Sequence, residues 1–251
     1  MFSKVLLLAL AASPLVAAHG KIAQVTGDAG GNGTALGIQG GIVPGPGRNK
    51  ITEPDTAIFG STDIMTDGLG KTQSGGQNTL ADLSAAMALS GSTLPQISST
   101  GGQLSGTFPI VTTDGAGPIQ AVLDPTGTGK FSQGIKLQTV TQVPGKNGKI
   151  KATQGLNSPR GLFIRMMNTI ARRTTNVNEV YPMAFNVPAG TSCTGSMAGQ
   201  ETVCLVKIAN SNKAGPFGGV VAVQMVNGAA APASGSAPSR RARSRRTVLS
   251  S

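Results

Sequence analysis

The 251-residue sequence is poor in the residue types on which many active sites depend. It contains no tryptophan, one tyrosine, one histidine and two cysteines, and 12% of its residues are charged. So few aromatic side chains for stacking sugar rings argue against a glycosidase cleft. A serine triad would have to use His19 as its base, and two cysteines with one histidine cannot close a tetrahedral zinc site. We therefore expect a protein without catalytic activity.

The amino-terminal segment has the pattern of an export signal. Lys4 precedes an apolar run, and Val16, Ala17 and Ala18 supply the small residues that a signal peptidase accepts. Residues 1–18 are therefore predicted to be removed, which leaves His19 at the start of a secreted protein. No other segment of the sequence is long and apolar enough to cross a membrane.

The formal net charge of +11 is unevenly distributed. Five arginines lie between residues 239 and 251, and four more lie between residues 155 and 180. A uniformly basic surface for nucleic acid is therefore not expected, and no nucleic-acid partner is predicted. Residues 228–251, rich first in Ala, Pro and Ser and then in Arg, are predicted to form a disordered tail.

Short apolar runs separated by glycine turns predict an all-β fold. The expected architecture is one immunoglobulin-like β-sandwich over residues 19–227, with long Gly-rich loops and one or two short helices. A glycine-rich loop is expected at 27–33 and a helix at 78–89, where Asn78 could act as the cap. A basic amphipathic helix is expected near 162–170, packed on the domain or lying on an anionic membrane surface. Strands are predicted at 21–25, 107–113, 119–123, 135–143, 181–187, 202–208 and 220–225.

Two further features concern an oxidising compartment. Cys193 and Cys204 are the only cysteines, and in a secreted protein so close a pair is expected to form a disulfide rather than two free thiols. Closing this loop would contribute about 3 kcal/mol to the free energy of unfolding. Asn32, followed by Gly33 and Thr34, is the one glycosylation sequon.

Eight short segments together resemble one known family, the secreted virulence proteins that plant-pathogenic fungi express in appressoria. The segments are HGKI at 19–22, TGDAGGNG at 26–33, DTAIF at 55–59, DGAGP at 114–118, VPGKNG at 143–148, CTG at 193–195, VCLV at 203–206 and AGPFGG at 214–219. The resemblance implies a non-enzymatic role in host penetration, at the fungal wall or at a plant surface component. Val220, and a position near Ile208, stand where cysteines are expected. Residues 155–173 have no counterpart in the family and indicate an insertion or a gene-model error.

The alternative hypothesis is a copper protein. The amine and imidazole of a mature N-terminal His19 could chelate copper, as in lytic polysaccharide monooxygenases, which carry an immunoglobulin-like sandwich. Those enzymes need another imidazole, which this chain lacks, so Asp28, Asp114 or Asp124 would have to complete a weaker site. The two hypotheses differ in the cofactor, which is none in the first and copper in the second.

Overall fold

The fold is described from a computed structural model, which covers residues 20–39, 54–73, 75–151 and 176–227. Several sequence predictions lie outside these residues: the signal segment 1–18, His19, the helix near 162–170, the unusual stretch 155–173 and the tail 228–251. Strands dominate the described part, which confirms the all-β prediction. None of its helices has the length and apolar character needed to span a bilayer.

Thirteen strands and one α-helix, α1, follow in chain order. The strands are β1 (Gln24–Gly27), β2 (Gly30–Gly33), β3 (Ala57–Ile58), β4 (Lys71–Thr72), β5 (Gly76–Gln77), β6 (Gln96–Ser98), β7 (Gly102–Thr112), β8 (Ile119–Asp124), β9 (Ile135–Thr141), β10 (Asn176–Val187), β11 (Gly195–Met197), β12 (Gln200–Asn210) and β13 (Phe217–Val226). The helix α1 spans Leu83–Leu89, and single 3₁₀ turns occupy Leu80–Asp82 and Phe131–Gln133.

The strands form one hydrogen-bonded sheet with the order β11-β12-β8-β9-β10-β7-β1-β2-β6-β13-β3-β4-β5. Because β12 also pairs with β13, the strands from β12 round to β13 make a closed circuit of neighbours. Strand β13 runs parallel to β6, while the other named pairs among the described residues are antiparallel. The sheet-rich structure fits a β-sandwich, and the immunoglobulin-like arrangement stays a prediction.

The strand β12 lies at the centre and is buried on both faces. Alternate side chains of a strand point to opposite faces, so β12 contributes to two separate hydrophobic clusters. The first cluster contains Cys204, Val206 and Ile208, and the second contains Val203, Leu205 and Ala209. The side chain of Lys207 falls on the face of the second cluster, although it carries a charge.

Most predicted elements are present with shifted ends. The predicted helix at 78–89 is a 3₁₀ turn followed by α1, and the cap is Thr79 rather than Asn78, because Asn78 is buried and donates to the Leu69 carbonyl. The loop prediction for 27–33 was wrong in part, since Gly30–Gly33 forms β2. Glycine is required there because a Cβ on Gly31 would lie 2.0 Å from the Leu94 oxygen.

Candidate functional site

Four of the segments that carry the family resemblance meet in space. The segment 114–118 connects β7 to β8, and 214–219 leads from β12 into β13, so both lie at the same end of these antiparallel strands. The segment 143–148 follows β9 and packs on 114–118, and 55–59 pairs with β13 through β3. Widely separated glycine motifs therefore build one end of the fold.

Hydrogen bonds fix these loops to one another. The Gly117 amide donates to the Pro144 oxygen at 2.9 Å, and the Gly148 amide donates to the Gly117 oxygen at 3.0 Å. From the end of β12, the Asn210 side chain donates to the Ala116 oxygen at 2.8 Å. Backbone groups that a loop would otherwise leave to water are thus satisfied internally, which makes this end of the fold a shaped surface.

The first concave site at this end, here called the Lys207 cleft, has a volume of about 550 Å³. Exposed Lys71 and Lys213 line it together with Thr66, Asp67 and the buried Lys207. Several glycines also line it, and at Gly70 the positive φ of 76° and the nearby Phe59 ring require a residue without a side chain.

Lys207 is an unusual residue for the interior, since only 1% of it is exposed. Its Nζ donates to the Thr66 carbonyl at 2.9 Å and to Thr66 Oγ1 at 3.3 Å. The same ammonium lies 4.5 Å from the centroid of the Phe59 ring and 5.4 Å from that of Phe131. Burial lowers the pKa of Lys207 to about 8, although the carboxylates of Asp63 and Asp67 act in the opposite direction.

Asp67 is the acidic member of this cleft. Its Oδ1 accepts a hydrogen bond from the Ser132 amide at 2.8 Å. This bond, the Ser132 side chain and the charges of Lys130 and Lys207 lower the pKa of the Asp67 carboxyl. The carboxylate is therefore ionised at neutral pH and lies in the field of the buried lysine.

A second concave site, here called the Lys149 cleft, adjoins the first and has a volume of about 730 Å³. It is lined by the exposed lysines Lys146, Lys149, Lys151 and Lys213 and by Asp114. Since Lys213 and its neighbour in sequence line both clefts, the two are continuous along the surface.

The charge of these clefts contrasts with that of the surrounding domain. The described residues contain nine lysines, no arginine and nine acidic residues, so their formal net charge is zero. Six of the nine lysines line the two clefts, against the carboxylates of Asp67 and Asp114. The positive potential of the described part is therefore concentrated at the end built by the four segments.

The carboxylates considered for copper are not brought together. Asp28 accepts hydrogen bonds from the Ser98 and Gln103 amides near the start of β7, while Asp114 accepts one from Thr112 at its end. The length of β7 separates them by roughly 30 Å at about 3.3 Å per residue. Within the described ranges, no group of three or more His, Cys, Asp or Glu side chains could hold a metal ion.

Asp124 has a clear structural role. It is buried and accepts four hydrogen bonds of 2.6 to 2.8 Å, from the amides of Thr126, Thr128 and Gly129 and from Thr126 Oγ1. These bonds fix the loop after β8. A carboxylate with so many protein partners is poorly suited to complete a metal site.

The predicted disulfide is present. Cys193, just before β11, is bonded to Cys204 on β12, with a Cα–Cα distance of 5.1 Å. The sequon residue Asn32 is exposed on β2, where its Oδ1 accepts a hydrogen bond from Thr26 Oγ1 at 2.8 Å. Thr34 Oγ1 donates to the Ala23 oxygen, and glycosylation of Asn32 stays a prediction.

Sequence reasoning missed two buried charged groups. Asp55 is 1% exposed, its Oδ1 accepts from the Gln39 amide, and its Oδ2 lies 3.6 Å from Lys21 Nζ. Lys207 was also missed, although its position supplied a signal. It stands within the otherwise apolar run of β12, where neighbours on both sides are buried, so its own side chain has to be buried as well.

Comparisons with known proteins agree with the motif resemblance. The family model described as Egh16-like virulence factor matches residues 17–218. The appressoria-specific virulence factor GAS1 of Pyricularia oryzae is 37% identical over 216 residues, which cover 85% of this chain and 74% of that protein. GAS2 of the same fungus is 32% identical over 122 residues, which cover 48% of this chain and 34% of GAS2. No solved structure matches. The chain belongs to the Egh16-like virulence factor family.

Proposed function

We propose that the protein is secreted and acts as a virulence factor at the fungal surface or at the plant interface during appressorial penetration. It does so by binding a fungal wall or plant surface component, without catalysis and without a cofactor. The observation that carries the proposal is the 37% identity to an appressoria-specific virulence factor over 85% of the chain. The export pattern of residues 1–18 supports secretion.

The engagement of the carboxylates supports a binding role. Asp28, Asp55, Asp67 and Asp124 each accept hydrogen bonds from backbone amides of neighbouring loops. Hydrolysis of a glycosidic bond needs two carboxyl groups facing one substrate, as an acid and as a base or nucleophile. These aspartates instead hold the loops that shape the surface.

Deletion of the gene in the producing fungus tests the role. We expect fewer successful penetrations from normally formed appressoria, restored by the full-length gene but not by a version lacking residues 2–18. Immunodetection of the protein outside the cell should accompany rescue. Full rescue by the version without the signal would contradict action outside the cell, and undiminished penetration by the deletion strain would contradict the virulence role.

Copper binding is the second candidate, and one observation favours it. Gly20 forms a backbone bridge with Ile110, and a Cβ on Gly20 would lie 2.2 Å from the Gly115 oxygen. The chain therefore enters the described fold beside the loop that contains Asp114. A mature N-terminal His19 would supply the amine and imidazole, with Asp114 as a further ligand.

Titration of the mature protein with copper separates the two candidates. A copper site requires submicromolar affinity that is lost when one residue is added before His19 or when His19 is replaced by Ala. The binding-protein proposal expects weak copper binding that these changes leave unaltered. Polysaccharide oxidation would need its own assay, with a reductant and product analysis, because the chain has no second histidine.

A further inference from the structure

We infer that the Lys207 cleft and the Lys149 cleft form one groove that binds an acidic polysaccharide whose sugar rings carry carboxylates, a polyuronate. The inference deepens the proposed function by naming the ligand class, and only its biological setting rests on that proposal. Its first support is the continuity of the clefts through Lys213, which gives a site longer than one sugar ring needs.

The charges of the groove fit a polymer with separated negative groups. Lys71 lies in the first cleft, Lys213 lies at the junction, and Lys146, Lys149 and Lys151 lie in the second. All five are exposed, so their ammonium groups can reach a ligand without a change in the fold. An ammonium group acts as a point charge with three donors, which can bind a carboxylate and neighbouring hydroxyls together.

The other polar groups favour a sugar chain over nucleic acid. Each cleft contains a carboxylate, Asp67 or Asp114, and an amide, Gln77 or Asn147. Carboxylates accept hydrogen bonds from sugar hydroxyls but repel a continuous line of phosphates. Binding of single-stranded nucleic acid uses aromatic side chains on which bases stack, and no large aromatic side chain is exposed in the described ranges.

The groove also lacks what a membrane surface would require. Peripheral membrane binding combines basic residues with apolar side chains that enter the lipid. The large apolar side chains exposed in the described part, Leu80, Leu89, Val140 and Val180, do not line either cleft. The basic groups therefore have no neighbouring apolar anchor.

The buried ammonium of Lys207 has a supporting place in this site. It is fixed by Thr66 and by two aromatic rings below the first cleft. Because little water surrounds it, its charge is weakly screened and adds to the potential within the cleft. Lys207 is thus a source of field for the ligand rather than a contact residue.

Binding of purified full-length mature protein to oligogalacturonates tests the inference by isothermal titration calorimetry at two salt concentrations. The test variant is K146Q/K149Q/K213Q. The matched control K146R/K149R/K213R keeps the charges, and K136Q removes an exposed lysine of β9 outside the groove. We expect the Gln variant to lose about tenfold or more in affinity and to depend less on salt, while both controls bind like the wild type.

The comparison ligands are neutral galacto-oligosaccharides, single-stranded DNA and vesicles of phosphatidylcholine with phosphatidylserine. We expect no binding of the neutral sugar and no groove-dependent binding of DNA or vesicles. The inference is overturned if oligogalacturonates do not bind, or if K136Q weakens binding as much as the Gln variant. It is also overturned if the Gln variant affects only DNA or vesicles. Arginines outside the described residues can attract every anion, and the charge-preserving control isolates the contribution of the groove.

Failure here and failure of the proposed function give different results. Calorimetry reports the groove alone, whereas gene deletion reports virulence. Binding that is lost in the Gln variant, together with full virulence of a strain producing that variant, would support the ligand assignment and reject its role in infection. Circular dichroism of each variant before titration shows that loss of binding is not loss of fold.

Discussion

Replacing Lys207 by Met removes a buried charge and keeps a side chain of similar length. In the wild type the ammonium is desolvated, and its pKa is lowered from 10.5 to about 8. Between these pH values the unfolded chain holds the proton and the folded chain does not. The free energy of unfolding therefore rises with pH across this window, because the unfolded state binds more protons than the folded state.

The size of the effect follows from the pKa difference. At about 1.36 kcal/mol per pKa unit, the wild type gains up to about 3 kcal/mol between pH 8 and pH 10.5 relative to a variant without the amine. At pH 7 the variant loses the bonds to Thr66 and the contacts with Phe59 and Phe131, but it also loses the desolvation cost. We expect K207M to unfold within about 1 kcal/mol of the wild type at pH 7, or to be more stable.

Urea unfolding followed by far-ultraviolet circular dichroism measures this difference, since the chain has no tryptophan for fluorescence. The control is K136M, which removes an exposed lysine of β9. Titrations shared by all proteins, including that of Tyr181, cancel when each variant is subtracted from the wild type. A wild-type minus K207M difference that stays flat from pH 7 to pH 10.5 would refute the reasoning.

Three further predictions concern stability and use the same urea assay. D124A should lose about 3 kcal/mol because three amides and a hydroxyl lose their acceptor, and D124N should lose less; equal losses would contradict the hydrogen-bond account. Replacing both Cys193 and Cys204 by Ala should cost about 2–4 kcal/mol, and an unchanged value after reduction of the wild type would contradict this. K21M should cost about 1–2 kcal/mol by leaving Asp55 buried without its counter-charge, and the cost should vanish in a D55N background.

The sequence predicted the strands because their apolar runs are long and lie between glycine turns. Strands β8, β9, β12 and β13 were placed within a few residues of their ends. The strand β2 was missed because Gly30–Gly33 has no apolar side chain, so its pairing depends on β1 rather than on its own pattern. Short strands without a pattern depend on partners that a single sequence does not reveal.

The candidate site was predictable only in part. The glycine motifs at 114–118, 143–148 and 214–219 were visible as turns, but their convergence depends on strand order, which alternation does not specify. The same is true of the lysines, which are scattered along the sequence and meet only in the folded chain. Asp28 and Asp114 were grouped as metal ligands by residue type, and the length of β7 separates them.

The position of β13 in the sheet has a consequence for biosynthesis. This strand, the last that the structure describes, is inserted between strands from much earlier in the chain and pairs with β12, β3 and β6. The closed circuit of strands cannot form until residue 226 has been translated. At about 5–20 residues per second, the nascent chain spends roughly 10–45 s with unpaired apolar strands. A ribosome stalled before β13 should hold a chain that proteases digest completely, and expression hosts with abundant chaperones should give higher yields.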